Sequence, residues 1–265
     1  MFFNGFALSH HTAAGTRFRL RTGGQGPAVM LLHGQPQTHA TWHRVAPALA
    51  ARHSVICPDL QPDLGPTGLA QALLELASAL GHEQFSLVGQ DVGGLIAARM
   101  ALVAPSRVKR LALLECVPPP EHGGRRDLAF ELSTYESCWF GQLHPKREAR
   151  ALTVPAEWHA SDHSGVFAPQ AVADYTAHRL WTDASGGALS FAPLRDAGDT
   201  QQVMCPVLML WGRQGRNGGW YDPSSLWQPF CARPVQALEL NGGTFLAEEA
   251  STETASALAD FLKAD

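Results

Sequence analysis

Four short apolar runs constrain the fold of this chain more than any other feature: Ala28-Val-Met-Leu-Leu32, Ser54 to Pro58, Phe85 to Val88 and Val108 to Leu114. Each is bounded by turn residues and reads as a strand buried on both faces. Between them lie stretches with helical spacing. Thr41 to Ala51 carries Trp42, Val45, Ala46 and Leu49, and Leu69 to Leu80 carries Leu69, Leu73, Leu76 and Leu80 before Gly81 ends it. A third helix is expected over Leu95 to Leu102. Ahead of all these, Phe6 to Leu8 and Thr16 to Arg21 read as an opening pair of strands joined around Gly15. Strands alternating with helices predict βαβ units, and hence an α/β fold: a mostly parallel sheet with helices on both faces.

The rhythm breaks at Pro118-Pro119-Pro120 and Gly123-Gly124. Residues from about 121 to 200 are rich in Trp, His, Tyr and Phe and have helical stretches but no strong strand. Strand and helix patterns return at Pro206 to Trp211 and Val235 to Leu240, and a final helix is expected from Ser251 to Leu262. The expected organisation is a core in two parts, 1–118 and 201–265, with a helical cap, 119–200, folded over the site. A chain of 265 residues fits one such unit.

Composition removes several classes of function. Hydrophobic residues at 45% against 17% charged exclude a disordered chain. A net charge of −4 without a basic run argues against a nucleic-acid partner. No stretch reaches the ~18 apolar residues of a membrane span, and Met1 to Phe6 is too short and uncharged for a secretory signal. The cysteines (Cys57, Cys116, Cys138, Cys205, Cys231) are odd in number and form no CxxC, so reduced thiols and a cytoplasmic location are expected. The expected partner is a small-molecule substrate or apolar ligand; a homodimer is left open.

The chemistry concentrates after the third core strand, at Gly89-Gln90-Asp91-Val92-Gly93-Gly94. Strand, sharp glycine turn and helix form the setting of a nucleophile elbow, with Asp91 at the apex. The helix behind it favours negative charge, and the N–H of Val92 can face a developing anion. An isolated G-x-D-x-G is equally a glycine turn in which Asp91 caps a helix. The second signal is His33-Gly34-Gln35-Pro36, directly after the first core strand, where the N–H of Gln35 would complete an oxyanion hole.

His33-Gly-Gln-Pro-Gln-Thr-His-Ala-Thr-Trp-His-Arg-Val-Ala-Pro47 resembles the corresponding stretch of haloacetate (fluoroacetate) dehalogenases and bacterial epoxide hydrolases, members of the α/β-hydrolase superfamily that use an aspartate nucleophile. Val55-Ile-Cys-Pro-Asp-Leu60, Leu87 to Gly94, Leu111-Ala-Leu-Leu-Glu115 and Phe245-Leu-Ala-Glu-Glu249 are similar to the same group. The resemblance implies that Asp91 attacks a carbon bearing halogen, or an epoxide carbon, to form an alkyl-enzyme ester. A histidine oriented by a carboxylate, here matched by Glu115, would then activate water. It also implies substrate contacts from the cap: Trp139 matches a Trp that donates to a leaving halide, and Tyr135 and Tyr175 are candidates to donate to an epoxide oxygen, as cap tyrosines do in epoxide hydrolases. For these rings, packing is the competing explanation. No cofactor is implied. The i, i+4 pair His159 and His163 has metal-like spacing but no evident third ligand, so no metal is expected.

The chain departs from that pattern at the base. Thr244 stands where relatives carry the histidine, and the last histidine of the sequence is His178. A threonine hydroxyl donates and accepts hydrogen bonds but is no general base near neutral pH. Val92 and Leu95 occupy the places of the arginines that clamp a haloacetate carboxylate, and the loop after Asp59 is short. Three functions stay open: a hydrolase of epoxides or halides with an incomplete triad; a self-trapping or silent relative; and a non-hydrolytic role, either ligand binding or a cyclase- or lyase-type reaction.

Overall fold

The structure, a computed structural model, describes residues 2–35, 37–118, 166–178, 194, 200–215 and 222–263. The apolar runs are the strands β3 (Ala28–Leu32), β4 (Ser54–Pro58), β5 (Phe85–Gln90), β6 (Val108–Leu114) and β7 (Val207–Gly212). An opening hairpin of β1 (Ala7–Ala13) and β2 (Thr16–Gly23) and a last strand β8 (Gln236–Leu240) complete one sheet in the order β1-β2-β4-β3-β5-β6-β7-β8. β2 is antiparallel to both β1 and β4, and every pairing from β4 to β8 is parallel.

Every residue of β3 is buried, which is why its sequence shows no alternation. The alternation is instead between two cores. Ala28, Met30 and Leu32 pack with α2 (Gly65–Ala79) and α3 (Val92–Val103) on one face. Val29 and Leu31 pack on the other face with α1 (Ala46–Leu49) and the last helix, α7 (Ser251–Leu262). Successive side chains of a strand point to opposite faces, so one run serves both layers. The expected α/β architecture is thereby present.

Local differences from the sequence reading have local causes. The helix expected over Thr41 to Ala51 is split into a 3-10 turn (His39–His43) and α1. Pro47 sits in the first turn of α1, where its missing N–H costs nothing, and it makes a natural restart. Thr38 caps the 3-10 turn by accepting from the N–H of Ala40. β8 lies at the sheet edge with four of its five residues exposed, not buried as a core strand would be.

Of the expected cap, the described residues include one helix, α4 (Pro169–Ala177). It buries Ala171 and Tyr175 against Phe167 and Ala40. Tyr135, Trp139, Cys138 and the His159/His163 pair lie outside the described residues. Past β7 come two short helices that the sequence reading did not anticipate, α5 (Pro223–Trp227) and the 3-10 turn Gln228–Phe230. α6 (Leu246–Glu249) precedes α7. No helix among the described residues is long and apolar enough to cross a membrane.

Candidate active site

The sheet brings the C-terminal ends of β5, β6, β7 and β8 side by side, the end at which open α/β sheets bind ligands. Asp91 follows β5 with φ +53° and ψ −125°, a conformation rarely adopted by a residue with a side chain. Its neighbours must be glycine: a Cβ on Gly93 would collide with the carbonyl oxygens of Leu32 and His33, and one on Gly89 with the backbone of Gly93. The G-x-D-x-G spacing is thus a steric requirement of three backbones crossing. The Asp91 N–H donates to Leu114 O at 2.9 Å, fixing the turn to the end of β6.

The loop after β3 closes over the Asp91 carboxylate. The Gln35 N–H donates to Asp91 Oδ2 at 3.0 Å, and the Gln37 N–H closes the same turn onto Gly34 O at 3.1 Å. Val92 opens α3, so its N–H has no partner within the helix. His33 braces the loop from below: Nδ1–H donates to Gly34 O at 2.9 Å, and Nε2 accepts from the Leu60 N–H at 3.0 Å. Burial pushes His33 down to about 4, which keeps the ring neutral and suits that donor–acceptor pair.

Glu115, one residue past β6, is buried and also has positive φ, +46°. Its Oε1 accepts from the Gly212 N–H at 2.6 Å. The Cys116 thiol is pushed well up by burial and by the charges of Asp91 and Glu115, so both carboxylates act on one small volume. Thr244 stands on the loop after β8. That loop is packed on Gly212: Gln214 N–H donates to Gly242 O at 3.0 Å, and a Cβ on Gly212 would strike the carbonyls of Gly242 and Gly243. Glu249 pins both sides of Thr244, accepting from the N–H groups of Gly243 and Phe245 at 2.8 Å each.

The structure therefore gathers Asp91, Gln35, Val92, Glu115 and Thr244 onto neighbouring strand ends. Tyr175 meets a different environment from the one expected of a substrate contact. It is 2% exposed, and its hydroxyl donates to Glu248 Oε1 at 2.5 Å. Arg99 turns away to Thr67 Oγ1 at 2.8 Å, leaving Val92 and Leu95 as the side chains on the first turn of α3. Among the described residues no group of three or more His, Cys, Asp and Glu could hold a metal ion.

The pattern of the Alpha/beta hydrolase family matches residues 29–257. The chain belongs to the α/β-hydrolase family. Within it, a fluoroacetate dehalogenase from Burkholderia sp is 31% identical, with 91% of this chain and 88% of that protein covered. A soluble epoxide hydrolase from Corynebacterium sp. (strain C12) is 37% identical over 42% of this chain and 43% of its own. A crystal structure described as an α/β hydrolase from Nostoc sp PCC 7120 superposes with a TM-score of 0.86 at 31% identity, covering 99% of this chain and 100% of that one. This α/β hydrolase thus resembles a haloacetate dehalogenase over most of its length and an epoxide hydrolase over part of it.

Two site groups were missed by the sequence reading. Asp59 carries no role in the sequence pattern, yet it anchors the segment that follows the Gly34–Gln37 turn: Oδ1 accepts from the His39 backbone N–H at 2.8 Å and lies 2.9 Å from His39 Nδ1, and Oδ2 accepts from Arg19. Glu248 was one of two adjacent acids with no visible difference between them. Its burial beside Tyr175 separates it from exposed Glu249.

Proposed function

We propose that this α/β hydrolase uses Asp91 to capture the carbon of a neutral epoxide or alkyl halide as an alkyl-enzyme ester, and that Thr244 leaves the ester without its usual route of release. The observation that carries this reading is the Gln35 N–H on Asp91 Oδ2 at a turn strained to φ +53°. That hydrogen bond differentiates the two oxygens. Oδ1 is the attacking atom; the carbon–halogen bond breaks with halide leaving, or the epoxide carbon–oxygen bond breaks to an alkoxide that takes up a proton. Oδ2 remains as the ester carbonyl, already in reach of the donor that would stabilise a tetrahedral intermediate.

The second half-reaction needs a water stripped of its proton near the ester carbon. In this reading Glu115 is the carboxylate that would orient such a base, and Thr244, on the loop beside Gly212, stands where the base would be. Ester formation does not require that base, whereas hydrolysis does, so the adduct accumulates. A full hydrolase with another base, and a purely ligand-binding pocket, are the competing functions. Val92 and Leu95 offer no cation to a carboxylate, which favours neutral substrates over haloacetates.

Exposure to panels of epoxides, alkyl halides and haloacetates, with diol or halide release followed beside intact mass, separates these functions. The proposal expects one equivalent of product or adduct from neutral compounds and none in Asp91→Asn. Sustained release at many equivalents would establish a full hydrolase. Binding without adduct, unchanged in Asp91→Asn, would establish a ligand-binding pocket.

A further inference from the structure

A chain of buried polar side chains runs from the nucleophile turn to the helix that carries Thr244's neighbours. Gln90, the residue before Asp91, donates from Nε2 to Gln37 Oε1 at 3.1 Å. Gln37 donates from its own Nε2 to Thr41 Oγ1 at 2.9 Å. Thr41 and Gln37 lie beside the Tyr175 hydroxyl, which in turn donates to Glu248. Gln37 also closes the Gly34–Gln37 turn whose Gln35 N–H holds Asp91. One residue, Gln37, thereby touches both supports of the nucleophile: the residue before it through its side chain, and the turn above it through its backbone N–H. None of these groups is used in the chemistry proposed above.

We infer that Glu248 and Tyr175 are positioning residues, which act through Gln37 and Gln90 to hold the oxyanion turn and Asp91 in their reactive arrangement. The inference rests on Asp91 being the nucleophile. α4 docks on this chain through buried Tyr175, and Asp174 beside it is held by Thr38 and Arg19.

Glu248 makes this arrangement sensitive to pH. Its Oε1 is engaged by Tyr175, while Oε2 is buried with no hydrogen-bond donor among the described residues. From the 3-10 turn, His43 Nδ1 lies 3.7 Å from Oε2, but that nitrogen donates to Ala40 O, and burial holds the ring down at about 4 and so uncharged. Arg44 directs a guanidinium N–H to the backbone carbonyl of Glu248 at 3.2 Å, not to its carboxyl. Glu249, on the same helix, is turned to the N–H groups around Thr244. Burial accordingly pushes Glu248 up to about 8. By linkage, a carboxyl that resists ionisation when packed favours hydrated, undocked arrangements once it ionises. Raising the pH through that value should therefore loosen α4 and slow the nucleophile.

The test is the rate at which Asp91 is alkylated by styrene oxide, followed by intact mass across pH for wild type, Glu248→Gln, Glu248→Asp and Tyr175→Phe. The wild-type rate should fall about tenfold between roughly pH 7 and roughly pH 9, following the protonated fraction of Glu248. Glu248→Gln should give a flat profile with a rate near the wild-type maximum, and Glu248→Asp should keep a pH-dependent profile. Tyr175→Phe should be slow throughout, with the half-saturating concentration unchanged. A Glu248→Gln profile identical to wild type would overturn the inference. Should the variants fold poorly, carboxyl-carbon NMR of wild type labelled at glutamate gives the Glu248 midpoint directly. A midpoint unrelated to that of alkylation would likewise overturn it. Alkylation of wild type that is absent at every pH would remove the assignment of Asp91 and this inference with it; alkylation with an unaltered profile removes this inference alone.

Discussion

At the scale of single residues, the proposed function makes Thr244 the point at which capture and release part. Glu115, the Gly212 N–H and the loop held by Glu249 are all in place around that position. Restoring the imidazole should therefore restore the missing step. Thr244→His is expected to convert a single-equivalent reaction into turnover, raising ester hydrolysis by ~10²–10⁴-fold, the usual contribution of a positioned base. Rapid-quench measurement of adduct lifetime checks this; an adduct equally long-lived in Thr244→His would mean that Glu115 does not orient a base there. The turn at Asp91 was legible in the sequence because its glycines answer to collisions that any such turn must avoid. Glu248 was not, because its pairing with Tyr175 joins positions 73 residues apart.

At the scale of elements, the strands could be read from sequence while the segments around the site could only partly be read. Buried parallel strands are set by local apolar content, as all-buried β3 illustrates. The segment after the oxyanion loop is instead set by a distant carboxylate: Asp59, at the end of β4, binds the start of the 3-10 turn and Arg19 of β2 together. Burial alone would raise the Asp59 carboxyl, but the hydrogen bond from His39 and the Arg19 guanidinium hold it well below the usual carboxylate range. Asp59→Asn leaves Arg19, among the described residues, with Asp174 as its carboxylate partner and should cost ~1–3 kcal/mol, the usual effect of weakening the hydrogen bonds of a buried polar group. Urea unfolding monitored by Trp fluorescence would measure it, and a loss under ~1 kcal/mol would show that the anchor is dispensable.

For the whole molecule, opposed pKa shifts predict a stability optimum. His33 and His43 are held down at about 4 by burial, so the stability they contribute is present above ~6.5 and is lost as pH falls towards 4. Glu248 is raised to about 8, so its contribution is complete below ~4.5 and is lost as pH rises to 8. Between ~4.5 and ~6.5 two groups gain against one that loses, and from ~6.5 to ~8 Glu248 is the one of the three that acts. Stability should therefore peak near pH ~6.5 and decline by ~1.4 kcal/mol per pH unit on either side. Glu248→Gln should flatten the alkaline flank alone, as denaturant midpoints across pH would reveal. A flank unchanged in Glu248→Gln would contradict the assignment.

The account as a whole turns on whether Asp91 captures and keeps its substrate. The most direct measurement is peptide-resolved mass spectrometry of the protein over hours after a pulse of styrene oxide. It should find one adduct, on the peptide containing Asp91, that persists in wild type and is absent from Asp91→Asn. An adduct elsewhere, or diol produced at many equivalents with no ester detectable on Asp91, would contradict it.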